Sequence, residues 1–402
     1  ATTDPAEATL KLGRGGLSIR SADGAFGFRL RADLQIDGRF FVEDAALPIA
    51  DGWLVRRARP ILEATLFRFV DLRLMPDFGG GQSEIYDAFL EARLAPSARL
   101  RIGKFRPPLG LERLQSARDL VFLERAAPTL LVPNRDVGVQ LGGALAGGRI
   151  EYQIGAFNGV VDGGRADFAE GDGEELAARL VWRPFAGSPG APDFGIGLAG
   201  SRGDAQGTMA SPRLPTYKTL GAQTFFRYRS DGTEGGTTVA DGRRVRAVPQ
   251  AFLYAGPLGV MAEYARSAQR VRRSEATAEL VHAAWQLQLS WVLTGERNGY
   301  KGVEPARPLE LSGDSGLGGR GAWIVALRAT GIEFDGAAFP RFADPDRAAQ
   351  GATSWGACLS WNLAPGVRWL IDLDLTRFDG GTSGGSDRPD EKEISTRFQV
   401  AF

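Results

Sequence analysis

Residues 25–40, AFGFRLRADLQIDGRF, narrow most sharply what this chain can become. Phe26, Phe28, Leu30, Ala32, Leu34, Ile36, Gly38 and Phe40 occupy the even positions, while Arg29, Arg31, Asp33, Gln35, Asp37 and Arg39 occupy odd ones. Successive side chains of an extended chain point to opposite faces, so this is a strand with one oily and one ionic face. It is longer than the roughly 5–6 residues common in globular strands and suits a tilted crossing of a bilayer. An arginine turned to lipid near the midplane costs ~2–4 kcal/mol, so the ionic face must look onto water. The competing reading is a soluble sandwich with the oily face in its core.

The alternation recurs. At 86–94, Tyr86, Ala88, Leu90, Ala92 and Leu94 alternate with Asp87, Phe89, Glu91 and Arg93. Such segments fall at 25–41, 53–67, 68–77, 84–95, 98–104, 135–146, 149–158, 174–186, 193–203, 243–256, 258–267, 276–294, 319–334, 353–364, 366–379 and 391–402. Sixteen is an even number, as single-chain bacterial outer-membrane barrels require. Tight turns at Pro96-Ser97, Gly147-Gly148, Gly256-Pro257 and Pro365 alternate with long joins at 42–52, 105–134, 159–173, 204–242, 335–352 and 380–390. Short joins on one rim and long ones on the other fit periplasmic turns and external loops. The join 295–318 falls on the short side yet is long. The last strand alternates to a terminal Phe402, and Trp53, Trp182, Trp323 and Trp355 suit aromatic girdles.

The expected fold is all-β: a 16-stranded antiparallel transmembrane β-barrel with an inward-folded third loop. Residues 1–24 form an N-terminal segment and 25–402 the barrel. The start, ATTDPAEAT, reads as a mature terminus left by signal-peptide cleavage. Residues 105–134 do not alternate and carry Pro107, Pro108 and dense charge. A structureless stretch of that length makes sense as a loop folded inside a wide barrel, where it narrows the pore. Residues 204–242 are a second candidate for infolding.

Lys+Arg and Asp+Glu are both 48, which argues against a nucleic-acid partner. Nearly all the positive charge is arginine, whose planar fork suits phosphate or carboxylate. The expected lumen face carries Arg29, Arg31, Arg39, Arg57, Arg59, Arg73, Arg93, Arg101, Arg179, Arg183, Arg244 and Arg246. The third loop adds Arg106, Arg113, Arg118 and Arg125, with Lys104 at its start. Cations clustered at a narrow point select anions, and carboxylates across strands are expected to pair with more than half of them. His282 is the only histidine, expected at a strand end, and Cys358 the only cysteine, expected as a small buried filler. Neither supports a catalytic triad or metal cluster, and no enzyme activity, cofactor or metal is expected.

The block 101–143, RIGKFRPPLGLERLQSARDLVFLERAAPTLLVPNRDVGVQLGG, resembles the third-loop region of the phosphate-selective porins. WVLTGE at 291–296, AGPLGVMAEY at 255–264 and TRFQVAF at 396–402 extend the resemblance over nearly the whole chain. It implies a homotrimeric barrel in the Gram-negative outer membrane, bathed in outer-membrane lipid and passing small anionic solutes. It also implies a binding set in which Arg56 and Arg57 match paired strand arginines, Arg118 a loop cation, Asp87 an acidic neighbour and Arg31 a first-strand arginine. Strict alternation turns Arg56 and Arg57 to opposite faces, which would make Arg57 and Arg59 the pore pair. The expected function is passive diffusion of small anions, phosphate or phosphorylated or carboxylated solutes, through an arginine-lined constriction. The alternatives are a general or sugar-type diffusion porin with little ion selectivity, and a structural barrel with adhesive loops.

Overall fold

The computed structural model describes residues 8–13, 15–42, 51–169, 173–312 and 316–402. Among them sixteen long strands follow in chain order: β1 Gly27–Val42, β2 Gly52–Leu66, β3 Val70–Asp77, β4 Glu84–Ala95, β5 Ala98–Phe105, β6 Asp136–Leu145, β7 Ile150–Phe157 and β8 Glu175–Trp182. There follow β9 Asp193–Gln206, β10 Val239–Ala255, β11 Leu258–Arg273, β12 Ala276–Val292, β13 Ala322–Glu333, β14 Ala349–Ala364, β15 Val367–Gly380 and β16 Glu391–Ala401. Each pairs antiparallel with the next. β16 pairs back with β1, from Lys392 opposite Val42 to Ala401 opposite Asp33, so the sheet closes. Closure gives each of the sixteen strands a neighbour on both sides, so the ladder of the wall pairs without water. A short hairpin, Thr9–Gly13 with Gly16–Arg20, pairs with the first residues of β1.

The two faces separate as the alternation requires. On β1, Leu34 and Ile36 are 41% and 38% exposed, whereas Gln35 and Asp37 between and beside them are fully buried. No helix of the described residues is long and apolar enough to cross a membrane.

Every sequence segment meets one strand, but two departures are instructive. β11 continues past 267 to Arg273 and turns to β12 through Ser274 and Glu275 alone, so one join on the long-loop rim is tight. The outward positions there become Arg266, Ala268, Arg270 and Arg272, because the strand has risen beyond the apolar layer and its oily signature ends. The join 42–52 lies largely outside the described residues. His282 is mid-strand on β12, not at a strand end; it faces inward, 2.6 Å from the Tyr228 hydroxyl, and its Nδ1 accepts from the Asp335 amide at 3.2 Å. Around it Tyr217, Phe226 and Phe334 form an aromatic core with ring centroids 3.9–6.0 Å apart. This core anchors the inner part of the 207–238 join within the barrel mouth.

Candidate functional site: an arginine-lined chamber

Residues 106–135 turn into the barrel after β5 and cross to the far wall. A loop buried in this way needs partners for its backbone, and the wall supplies them. Arg328, Arg368 and Arg397, on β13, β15 and β16, donate to the carbonyls of Glu124 (2.7 Å), Leu120 (2.7 Å) and Leu123 (2.6 Å). Asp372 accepts from the Leu123 amide at 2.6 Å, and Cys358 Sγ donates to Val121 O at 3.3 Å. A one-turn helix, Leu111–Leu114, directs the amides of Leu111 and Glu112 at the Glu263 carboxylate on β11 (2.8 and 3.2 Å). Gly110 enters that turn at φ 82, where a Cβ would lie 3.1 Å from Glu263 Oε1, so only glycine lets the turn sit this close. Beneath the loop, Tyr300 from the 293–321 join donates to Leu111 O at 2.6 Å.

Strict alternation would turn Arg56 and Arg57 to opposite faces; the structure corrects this. Gln35 pairs with Arg57 but Ile36 with Val55, leaving Arg56 as the extra residue of a β-bulge. The bulge shifts parity by one, so both adjacent arginines project inward. The glycine run 79–81 packs on it, and a Cβ at Gly79 would meet Arg56 O at 2.6 Å. A second bulge does the same on β4. Met75 pairs with Asp87 and Pro76 with Ile85, so Tyr86 joins Asp87 on the inner face instead of the lipid side.

Glu124, on the loop, ties these parts together. Arg56 Nε and Nη2 donate to its two oxygens at 2.6 and 3.0 Å, and Arg39 donates at 3.0 Å. Arg397 and Arg57 lie 3.5 and 3.9 Å away. Burial alone would raise its carboxyl, but Arg56 and Arg57 outweigh it and hold the group well below the carboxylate range.

Three other loop arginines are bound differently. Arg106 donates to Leu114 O (2.9 Å) and Gln115 O (3.1 Å), Arg125 to Glu112 O (3.1 Å) and Gln115 O (2.6 Å), and Arg113 to Thr129 O. Among the described residues none of the three lies within 4.0 Å of a carboxylate, and the buried Nε of Arg106 and Arg113 has no partner. Burial, then Arg125 and Arg135, lower Arg113 to about 9; burial lowers Arg125 to about 10. Arg113 and Arg125 therefore stay charged at neutral pH, and an anion would relieve the repulsion among such closely set guanidinium groups.

They line a chamber of about 760 Å³ together with Arg56, Arg57, Arg59, Tyr86, Asn134 and Arg135. Arg59 and Arg135 lie over the Tyr86 ring, 4.1 and 4.6 Å from its centroid. Arg59 is paired with Asp77 at 2.8 Å. The other side is formed by residues 214–222 and by β13 and β14.

Of the eight residues singled out by sequence, Arg56, Arg57, Arg59 and Arg113 meet at this chamber. Asp87 stands behind it, accepting from Arg73 (3.1 Å) and Arg135 (3.2 Å). Arg31 pairs with Glu63 at 2.8 Å, Lys104 with Asp167, and Arg118 with Asp33 at 3.7 Å, all away from the chamber lining. Sequence reasoning missed Tyr86, Asn134 and Arg135. The adjacent apolar pair Ile85-Tyr86 is the one trace that a bulge leaves in the sequence.

The family described as phosphate-selective porin O and P matches residues 26–378. The fold is similar to the outer membrane channel DcaP of Acinetobacter baumannii, with TM-score 0.59 and 9% identity over 95% of this chain and 99% of that one. It is similar also to the anion-selective porin from Comamonas acidovorans, with TM-score 0.57 and 9% identity over 94% and 100%. The trimer form of OmpT from Vibrio cholerae gives TM-score 0.55 and 9% identity over 94% and 100%. No curated protein sequence matches the chain.

Proposed function

Since the chain belongs to the phosphate-selective porin O and P family and is therefore a porin of the Gram-negative outer membrane, we propose that it conducts small anions passively through a constriction set by the third loop. The observation that carries this reading is the trio Arg106, Arg113 and Arg125, none of which has a carboxylate within 4.0 Å among the described residues. A guanidinium has five donors, and backbone carbonyls occupy only some of them here. The free donors replace part of an anion's hydration as it passes, while the positive potential in a low-dielectric channel raises its local concentration. Phosphate, phosphorylated solutes and carboxylates all match the planar fork. The anion-selective porin from Comamonas acidovorans shares the barrel architecture, and the trimer form of OmpT supports assembly of three copies.

The test is a reversal potential in a potassium chloride gradient across a planar bilayer. The expected result is a chloride-favouring potential that collapses in the Arg106→Ala/Arg113→Ala/Arg125→Ala variant. A cation preference, or no preference, in the native channel rejects the reading in favour of a general diffusion porin.

A further inference from the structure

The chamber is not lined by charge alone. Leu54, Leu130, Val161, Leu214, Pro215 and Leu220 all border it, and each is half-buried, not covered. They come from β2, the third loop, the 158–174 join and the 207–238 join, so one strand's alternation does not account for them. The aromatic side chains of the same join, Tyr217, Phe225 and Phe226, are at most 1% exposed, so this segment does bury apolar groups where chain is available to cover them. Apolar surface left facing a water-filled chamber forgoes about 25 cal/mol per Å². An occupant with its own apolar surface would recover it. The chamber's volume of about 760 Å³ lies within the roughly 300–1,000 Å³ of pockets that enclose whole organic ligands.

We propose that the chamber binds organic anions, a carboxylate or phosphate-ester head on Arg106, Arg113 and Arg125 and an aliphatic or aromatic body against the half-buried leucines. This rests on the anion-channel reading and narrows its solute class. The two parts make separate demands. The guanidinium donors left free by the carbonyls fix the head by charge-assisted hydrogen bonds, and the apolar wall grades the body by size without hydrogen bonds.

The native channel in planar bilayers tests it, with block of the chloride current titrated by acetate, butanoate, hexanoate and octanoate. Each added methylene is expected to lower the half-blocking concentration two- to fourfold, the gain for burying a methylene. A parallel series of methyl, butyl and hexyl phosphate is expected to give the same gradation, which shows that the body and not the head sets it. In the Leu214→Ser/Leu220→Ser variant the gain per methylene should fall below about 1.5-fold. A flat series on a native channel that still prefers chloride overturns this proposal and leaves the anion channel standing. Equal potency of the matching alcohols also overturns it, because then the arginines hold no head. A channel without anion preference and without block overturns both readings.

Discussion

The barrel wall and the third loop use the same cation in opposite ways. Of the twelve wall arginines that alternation turns to the lumen, ten lie within 4.0 Å of a carboxylate; among the described residues Arg29 and Arg179 do not. Of the four loop arginines only Arg118 does among the described residues, 3.7 Å from Asp33. Strand register explains the wall. Glu63 stands directly opposite Arg73, and Glu91 opposite Arg101, at the spacing where cross-strand partners meet. A loop has no register, so Arg106, Arg113 and Arg125 fold onto carbonyls of their own segment, which offer partial charge only. A chain with as many acids as bases can therefore keep a balanced wall and concentrate uncancelled charge in one inserted segment.

Glu124 is where the two regions exchange charge, and removing it should have the largest effect. Glu124→Gln leaves Arg39, Arg56, Arg57 and Arg397 facing a neutral amide, and breaking a buried ion pair of this kind costs on the order of 3–5 kcal/mol. The barrel ladders are untouched, so the loss should appear as loosening of the loop. Trypsin is expected to cut after Arg118 or Arg125 in this variant and not in the native protein. Equal resistance of the two would mean that the wall, not the ion cluster, seats the loop. Next in size is the contrast in selectivity. Alanine at Arg106, Arg113 and Arg125 together should lower the chloride-to-potassium permeability ratio on the order of tenfold. A drop no larger than that from three wall arginines would erase the distinction between the regions.

How much of this was legible in the sequence follows the same division. Lipid outside and water inside impose alternation on every strand, so all sixteen strands, the inward face of Arg57 and Arg59, and the infolded loop could be read directly. The bulges at Arg56 and Tyr86 could not, because each depends on a partner strand that contributes one residue fewer. Nor could the pairing state of a loop arginine, which depends on where the loop's own carbonyls lie. His282 looked like a loose strand-end residue, since nothing in the local sequence announces that Tyr217, Phe226 and Phe334 converge on it from two other segments.

A smaller effect probes the one loop arginine that behaves like the wall. Asp119 follows Arg118, and burial raises its carboxyl to about 6 against a usual 3.8; Arg118, Arg368 and Lys301 oppose that rise and Asp33 adds to it. The folded chain thus keeps a proton between about pH 4 and 6 that the unfolded chain has released. Stability falls as pH rises through that window and is flat above it. Below about pH 6 this site loses a negative charge beside Arg118, and chloride preference should rise, on the order of twofold between pH 7 and 5. Asp119→Asn should show the higher preference already at pH 7 and no further change on acidification. A pH response surviving in that variant would place the titrating group elsewhere.

The smallest effect is expected on the wall itself. Arg73 sits between Glu63 and Asp87, 2.6 and 3.1 Å from their oxygens, and its side chain is 24% exposed to the water-filled lumen. Both acids keep a second cation, Arg31 at 2.8 Å for Glu63 and Arg135 at 3.2 Å for Asp87. Arg73→Ala therefore orphans neither, and a solvent-screened pair with alternative partners contributes roughly 0–1 kcal/mol. The reversal potential should stay within a few millivolts of the native value, and the shift should be smaller than that of Arg113→Ala alone. If Arg73→Ala instead matched Arg113→Ala, carboxylate pairing would not silence a cation in this lumen, and selectivity would belong to the whole arginine surface.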